Sequence, residues 1–162
     1  MKNAAIISTR IYELPELVRT VAQWRLKGQT VAFTNGVFDL LHAGHIYSLS
    51  AAAREADRLI VGVNADESVR RLKGPGRPLN PASSRALILA SLILVDAVIL
   101  FSEDTPLTLI QAILPDVLVK GGDYTLDQVV GAREVMAAGG RVVINPVLEG
   151  HSTTGIIEKA AR

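Results

Sequence analysis

Thr34-Asn35-Gly36-Val37-Phe38-Asp39-Leu40-Leu41-His42-Ala43-Gly44-His45 is the stretch from which the rest of the chain can be read. It follows a short β-rich run, Thr30–Thr34, and leads into a helical stretch, Gly44–Glu55. Where a strand passes through a loop into a helix, the first turn of the helix offers unpaired N–H groups to an anion. Gly36 lets the backbone come close to a ligand. His42 and His45 are three apart, so on a helical first turn their imidazoles share a face, with Gly44 between them leaving room for a phosphate. The segment reads as a phosphate cradle.

Outward from it, β-rich runs alternate with helical patterns. Thr30–Thr34, Arg58–Asn64, Ala97–Phe101, Val117–Lys120 and Arg141–Asn145 read as five strands. Helices are expected near Gly44–Glu55, Pro81–Leu94, Pro106–Leu114 and Gly131–Ala138, with flanking helices near Leu14–Lys27 and Ser152–Ala161. Alternation of this kind, with continuous apolar strands, predicts an α/β fold: a Rossmann-like five-stranded parallel sheet with helices on both faces. The chain reads as a single domain, residues 1–162, with a helical extension over 1–28 and a catalytic core over 29–162. In such sheets ligands bind beyond the carboxyl ends of the strands. The Pro/Gly-rich stretch Gly74–Pro81 is too short to separate domains and reads as an active-site loop or lid.

The 162 residues hold 17 Lys+Arg against 16 Asp+Glu, a net charge of +1. That balance excludes a nucleic-acid or anionic-membrane binder acting through bulk charge. Apolar residues make up 49% of the chain, enough for a full core, and the surplus points to a homo-oligomer, a dimer or tetramer. Without cysteine there is no disulfide, thiolate nucleophile or cysteine-ligated zinc site, and a reducing, cytoplasmic setting is expected. The opening MKNAAIISTR lacks the apolar core of a signal peptide. The most hydrophobic run, Ala86 to Phe101, is broken by Asp96 and falls short of the ~20 apolar residues of a membrane span.

The spacing of His42 and His45 alone leaves a phosphate clamp, a structural turn and a metal pair open. The zincin pattern, with a Glu after the first His and four-residue spacing, is not met. The chain contains no Walker A sequence. Gly74-Pro75-Gly76 lacks the third glycine and the preceding strand of a dinucleotide fingerprint.

Gly36-Val37-Phe38-Asp39-Leu40-Leu41-His42-Ala43-Gly44-His45 resembles the signature of the HxGH nucleotidyltransferase superfamily, and Ser152-Thr153-Thr154 is similar to its second motif. Within it the chain most resembles the D-glycero-β-D-manno-heptose 1-phosphate adenylyltransferases, from about Leu14 onward. Gly62-Val63-Asn64-Ala65-Asp66, Arg71-Leu72-Lys73-Gly74, Arg77-Pro78-Leu79-Asn80-Pro81, Glu103-Asp104-Thr105-Pro106 and Val119-Lys120-Gly121-Gly122-Asp123-Tyr124 carry that likeness. Departures are Ser83-Ser84-Arg85, Ile93-Leu94 and Gly155.

The resemblance implies that a heptose 1-phosphate oxygen attacks the α-phosphorus of ATP in line, with Mg²⁺ accompanying the departing pyrophosphate. His42 and His45 would hold phosphate oxygens, with Lys73 as a mobile cation in a flexible segment. Asn35, Gly36, Val37, Phe38 and Gly44 would line the nucleotide site. So would Lys120, Gly121, Gly122 and Asp123 beside the base, and Ser152, Thr153 and Thr154 at the outer phosphates. Asn64 and Asp66 would meet the acceptor, as would Asp39 unless it orients the loop instead, and Arg77 and Arg85 would meet the sugar phosphate or the triphosphate. The metal's protein ligands are left unassigned. The expected partners are ATP and a sugar 1-phosphate, with no nucleic acid and no membrane. Two other readings stand beside this one: a cytidylyltransferase acting on glycerol 3-phosphate or another polyol phosphate, and a nucleotide-binding module without turnover. Glycerol-3-phosphate cytidylyltransferases usually show Arg-Tyr-Val-Asp where this chain has Ile93-Leu94-Val95-Asp96, and Arg-Thr-Glu-Gly where it has Val147-Leu148-Glu149-Gly150.

Overall fold

A computed structural model of the chain describes residues 5–146, 148, 150 and 153–160. Its strands are β1 (Ile11–Tyr12), β2 (Val31–Gly36), β3 (Arg58–Asn64), β4 (Ala97–Phe101), β5 (Val117–Gly121) and β6 (Arg141–Asn145). The helices are α1 (Ala5–Ser8), α2 (Leu14–Leu26), α3 (Ala43–Ala53), α4 (Asp66–Lys73), α5 (Ala82–Ala90), α6 (Leu107–Ile113), α7 (Ala132–Ala137) and α8 (Thr153–Ala160). The strands form one parallel sheet in the order β1-β4-β3-β2-β5-β6.

Successive strand residues point to opposite faces of a sheet, and the two halves of the core follow that alternation. Val31, Phe33 and Ile60 join Leu17 and Val21 of α2, Ile110 of α6 and Val135 of α7 on one face. Ala32, Leu59 and Val61 join Leu49 of α3 and Ala86 and Leu89 of α5 on the other. With both faces covered, β3 is buried from Leu59 to Asn64. At Gly62 a Cβ would lie 2.8 Å from the Phe33 ring, so a glycine in mid-strand makes room for that side chain.

The sheet has six strands where five were expected. The additional one is β1, whose Ile11 and Tyr12 pair with Val98 and Ile99 of β4. Two residues are too few to show a period in sequence. β2 also runs two residues further than expected, so Asn35 and Gly36 pair with Gly62 and Val63. Helix α4 is the other unanticipated element. Its sequence DESVRRLK buries only Ser68 and Val69 and shows little apolar signal. Lys73, expected in a flexible segment, is therefore the last residue of a helix.

The chain leaves β2 toward β3 and β4 on one side, then returns to β5 on the other. Strand order reverses between β2 and β5, and the crevice beyond their carboxyl ends is where such sheets bind ligands. The loop that follows β2 lies there.

Candidate active site

The loop leaving β2 is held in shape by buried polar contacts. A Cβ on Gly36 would sit 3.0 Å from the Phe38 ring. Phe38 itself turns the chain with φ of 50°, a conformation that L side chains rarely adopt. Asp39, 2% exposed, then fixes the loop. Its carboxylate accepts from Arg77 Nε at 2.7 Å and from the backbone N–H groups of Leu79 and Asn80 at 2.8–2.9 Å. Burial alone would raise the Asp39 pKa, but these donors outweigh it and hold the group below the ordinary carboxylate range. Arg85, 1% exposed, completes the brace by donating to the carbonyls of Asn80 and Val37 and to Asp66 Oδ1 at 2.7–2.9 Å.

His42 is the extended residue at the N-terminus of α3, and its carbonyl accepts from His45 N–H at 2.9 Å. The two rings stack, with centroids 3.9 Å apart and planes 23° from parallel. Phe38 lies 5.2 Å from His45 on a tilted approach. Burial, joined by repulsion from a charged His42 and opposed by the Leu40 backbone, pushes the His45 pKa down to about 4. At neutral pH His45 is thus a neutral imidazole, and its Nδ1 is buried. A preorganised polar group of this kind is suited to a phosphate oxygen.

Two clefts open on this loop. The smaller, about 200 Å³, is walled by Phe38, His45, Ser48 and Gly121. The larger, about 410 Å³, is walled by Asn64, Lys73, Asp104, Thr105, Tyr124 and Gln128. Asn35, Gly36, Val37 and Lys120 belong to both walls. Lys120 is half-buried, with its Nζ 5.4 Å from the centre of the Tyr124 ring, and burial lowers its pKa. At the end of β6, Asn145 is 8% exposed and its Nδ2 has no hydrogen-bond partner among the described residues.

Most of the residues singled out in the sequence gather here. Asn35, Gly36, Val37, Phe38, His45, Lys120 and Gly121 line one or both clefts, Gly44 is buried in the first turn of α3, and His42 stacks on His45. Asn64 and Lys73 line the larger cleft. Gly122, with φ of 121°, and exposed Asp123 follow β5. Thr153 and Thr154 open α8 without lining either cleft, and Ser152 lies outside the described residues.

Three residues expected to meet substrate, Asp66, Arg77 and Arg85, have partners within the fold, and Asp39 takes the loop-orienting role that was its alternative. Asp39 pairs with Arg77, and Asp66 with Arg85, each at 2.7 Å. Each carboxylate lies where a guanidinium needs neutralising, so these side chains brace the loop rather than face the cleft. Asp104, Thr105, Tyr124 and Gln128 were given no site role from sequence. Asp104, Thr105 and Tyr124 fall in runs that carry the family likeness, which was the available signal, whereas Gln128 carried none. Among the described residues no group of three His, Asp or Glu side chains comes together to hold a metal ion, and Asp104 is engaged by Arg71 at 2.7 Å. A divalent cation bound here would therefore need ligands other than a protein cluster of this kind.

A parallel sheet with a glycine cradle, a histidine pair at a helix N-terminus and two clefts meeting between them defines a Rossmann-like nucleotidyltransferase fold. The chain belongs to the cytidylyltransferase-like family, whose model matches residues 33–159. It is 58% identical over 149 residues to the bifunctional protein HldE of Mesorhizobium japonicum, covering 92% of this chain and 30% of that protein. With the protein of the same name from Methylobacillus flagellatus it is 51% identical over 160 residues, 99% of this chain and 33% of the relative. The chain thus spans about a third of the length of these relatives. Among solved structures, a lipopolysaccharide core biosynthesis protein from Thermoplasma volcanium superposes with a TM-score of 0.62 at 28% identity, over 76% of this chain and all of that one. Pantoate-beta-alanine ligase from Francisella tularensis shares the fold, with a TM-score of 0.59 at 18% identity over 93% of this chain and 76% of that one. No helix among the described residues is long and apolar enough to cross a membrane.

Proposed function

We propose that the chain transfers the adenylate of ATP to D-glycero-β-D-manno-heptose 1-phosphate, releasing pyrophosphate and forming ADP-heptose for lipopolysaccharide core assembly. The observation that carries this reading is the pair of clefts joined at the cradle, one walled by His45 and the other by Lys73. Two phosphorylated substrates need two compartments, and a transferred group must sit between them. The choice of heptose 1-phosphate rests on the sequence runs that resemble heptose-phosphate adenylyltransferases and on the likeness to the HldE proteins. The name of the Thermoplasma volcanium structure agrees with it.

In this mechanism the triphosphate lies on the histidine side. His42 and His45 donate to oxygens of the α- and β-phosphates, aided by the N-terminal N–H groups of α3. Ser152, Thr153 and Thr154 take the outer phosphates, and the backbone of Gly121 and Gly122 lies against the adenine. Asn64 and Lys73 face the acceptor. An already ionised sugar-phosphate oxygen attacks the α-phosphorus, the bond to the bridging oxygen breaks, and pyrophosphate leaves. Orientation and charge stabilisation then supply the rate, with no general base required. A divalent cation on the triphosphate, Mg²⁺ in this proposal, neutralises the leaving group. Cytoplasmic location and self-association belong to the same proposal.

The test is pyrophosphate release by the purified protein with Mg²⁺, offering ATP or CTP against heptose 1-phosphate or glycerol 3-phosphate. Release with ATP and the heptose phosphate alone is expected. Release with CTP and glycerol 3-phosphate would move the chain to the polyol branch. ATP binding without release from any acceptor would leave a binding module.

A further inference from the structure

We propose that Lys120 touches the transferring phosphoryl group, and so is a catalytic residue rather than a ligand of the nucleotide base alone. The proposal rests on the two-compartment reading above. In an in-line displacement the attacking and leaving oxygens stand on opposite sides of the phosphorus. If donor and acceptor occupy the two clefts, the α-phosphorus lies where the clefts meet. Among the described residues, those common to both walls stand at that boundary, and these are Asn35, Gly36, Val37 and Lys120. Three of the four are uncharged. Lys120 alone brings a full positive charge to that boundary.

The surroundings of Lys120 fit such a task. It is the penultimate residue of β5, next to β2 across the strand-order reversal, so its backbone is fixed by the sheet. No carboxylate among the described residues forms a salt bridge with it, although Lys120 is half-buried. What its ammonium meets is the Tyr124 ring at 5.4 Å, which attracts a cation without neutralising it. A half-buried cation left without a counter-charge is set to receive an anion, and a phosphoryl group between two substrates supplies one. Lys73 has a different setting: it is exposed, ends a helix and lines only the larger of the two clefts.

The contact would form fully only when both substrates are present. Replacing Lys120 by Met should therefore lower kcat about 10²-fold, the typical loss for one preorganised donor. Both KM values and the ATP dissociation constant from calorimetry should stay within about threefold, and that retained ATP binding also reports a folded protein. Lys120→Arg, which keeps the charge, should recover part of the rate. A Lys120→Met protein whose kcat is unchanged, or whose defect is confined to ATP affinity, would overturn the assignment while wild-type turnover upheld the proposed activity. A wild-type protein that releases no pyrophosphate with any sugar 1-phosphate would overturn both.

Discussion

Removing the His45 imidazole takes a preorganised donor away from a buried loop while leaving the helix that carries it. His45→Ala should lose about 10²–10³ in kcat, with an unchanged circular dichroism spectrum, and near-normal turnover would refute the role. The same side chain makes stability depend on pH. Its pKa is about 4 in the folded protein against an ordinary 6.5. Above 6.5 neither state is protonated and the group contributes nothing. As pH falls from 6.5 toward 4, the unfolded chain takes up a proton that the folded one refuses, so stability declines. Urea titrations across that window should show the decline, and His45→Asn should flatten it; equal slopes in the two proteins would count against this account. The residues of the cradle were legible in sequence because glycine and histidine carry their chemistry in their identity. The roles of Asp66, Arg77 and Arg85 were not, and that of Asp39 was legible as one of two alternatives. A charged residue in a loop reads the same whether it meets a ligand or a buried partner far along the chain.

At the scale of elements, the segment between α4 and α5 is tied to the loop after β2 by one carboxylate and one guanidinium. Asp39 holds Arg77, Leu79 and Asn80, while Arg85 holds Asn80, Val37 and Asp66 at the start of α4. Removing one partner from a buried pair leaves the other charge uncompensated, which costs about 3–5 kcal/mol. Asp39→Ala should lose about that much in urea or guanidinium unfolding, and a loss under about 1 kcal/mol would show that the brace does not bear on stability. The brace also gives the expected lid an anchored end at Leu79 and Asn80. Five of the six strands and the principal helices were visible as alternating apolar runs. β1 and α4 were not, the first for want of length and the second because its sequence is mostly charged. Both take their structure from neighbours, β1 by pairing with β4 and α4 through contacts such as Ser68 Oγ donating to the Glu103 carbonyl and Asp66 accepting from Arg85. Such tertiary support leaves little local trace.

Across the whole molecule, the parallel topology brings the ends of β2, β3 and β5 to the two clefts, so residues distant in sequence share one site. The apolar surplus read from composition is visible on the surface. Ile93 is 95% exposed, and Leu87 and Ile88 nearby are also exposed. An apolar surface of this kind favours contact with a second copy. Sedimentation should detect an assembly at micromolar concentration, and Ile93→Asp should shift it toward a smaller species. A wild-type monomer would remove the expectation.

Gly62 and Phe33 behave as a single unit of volume shared by two strands. The 2.8 Å separation leaves no room for even one methyl group on Gly62 while the ring keeps its place. Gly62→Ala should therefore lower the melting temperature, and adding Phe33→Leu should recover part of the loss, a non-additivity that separate sites would not give. Change at these two positions is then constrained to be joint: a lineage that acquires a side chain at 62 must first, or at the same time, give up the aromatic ring at 33.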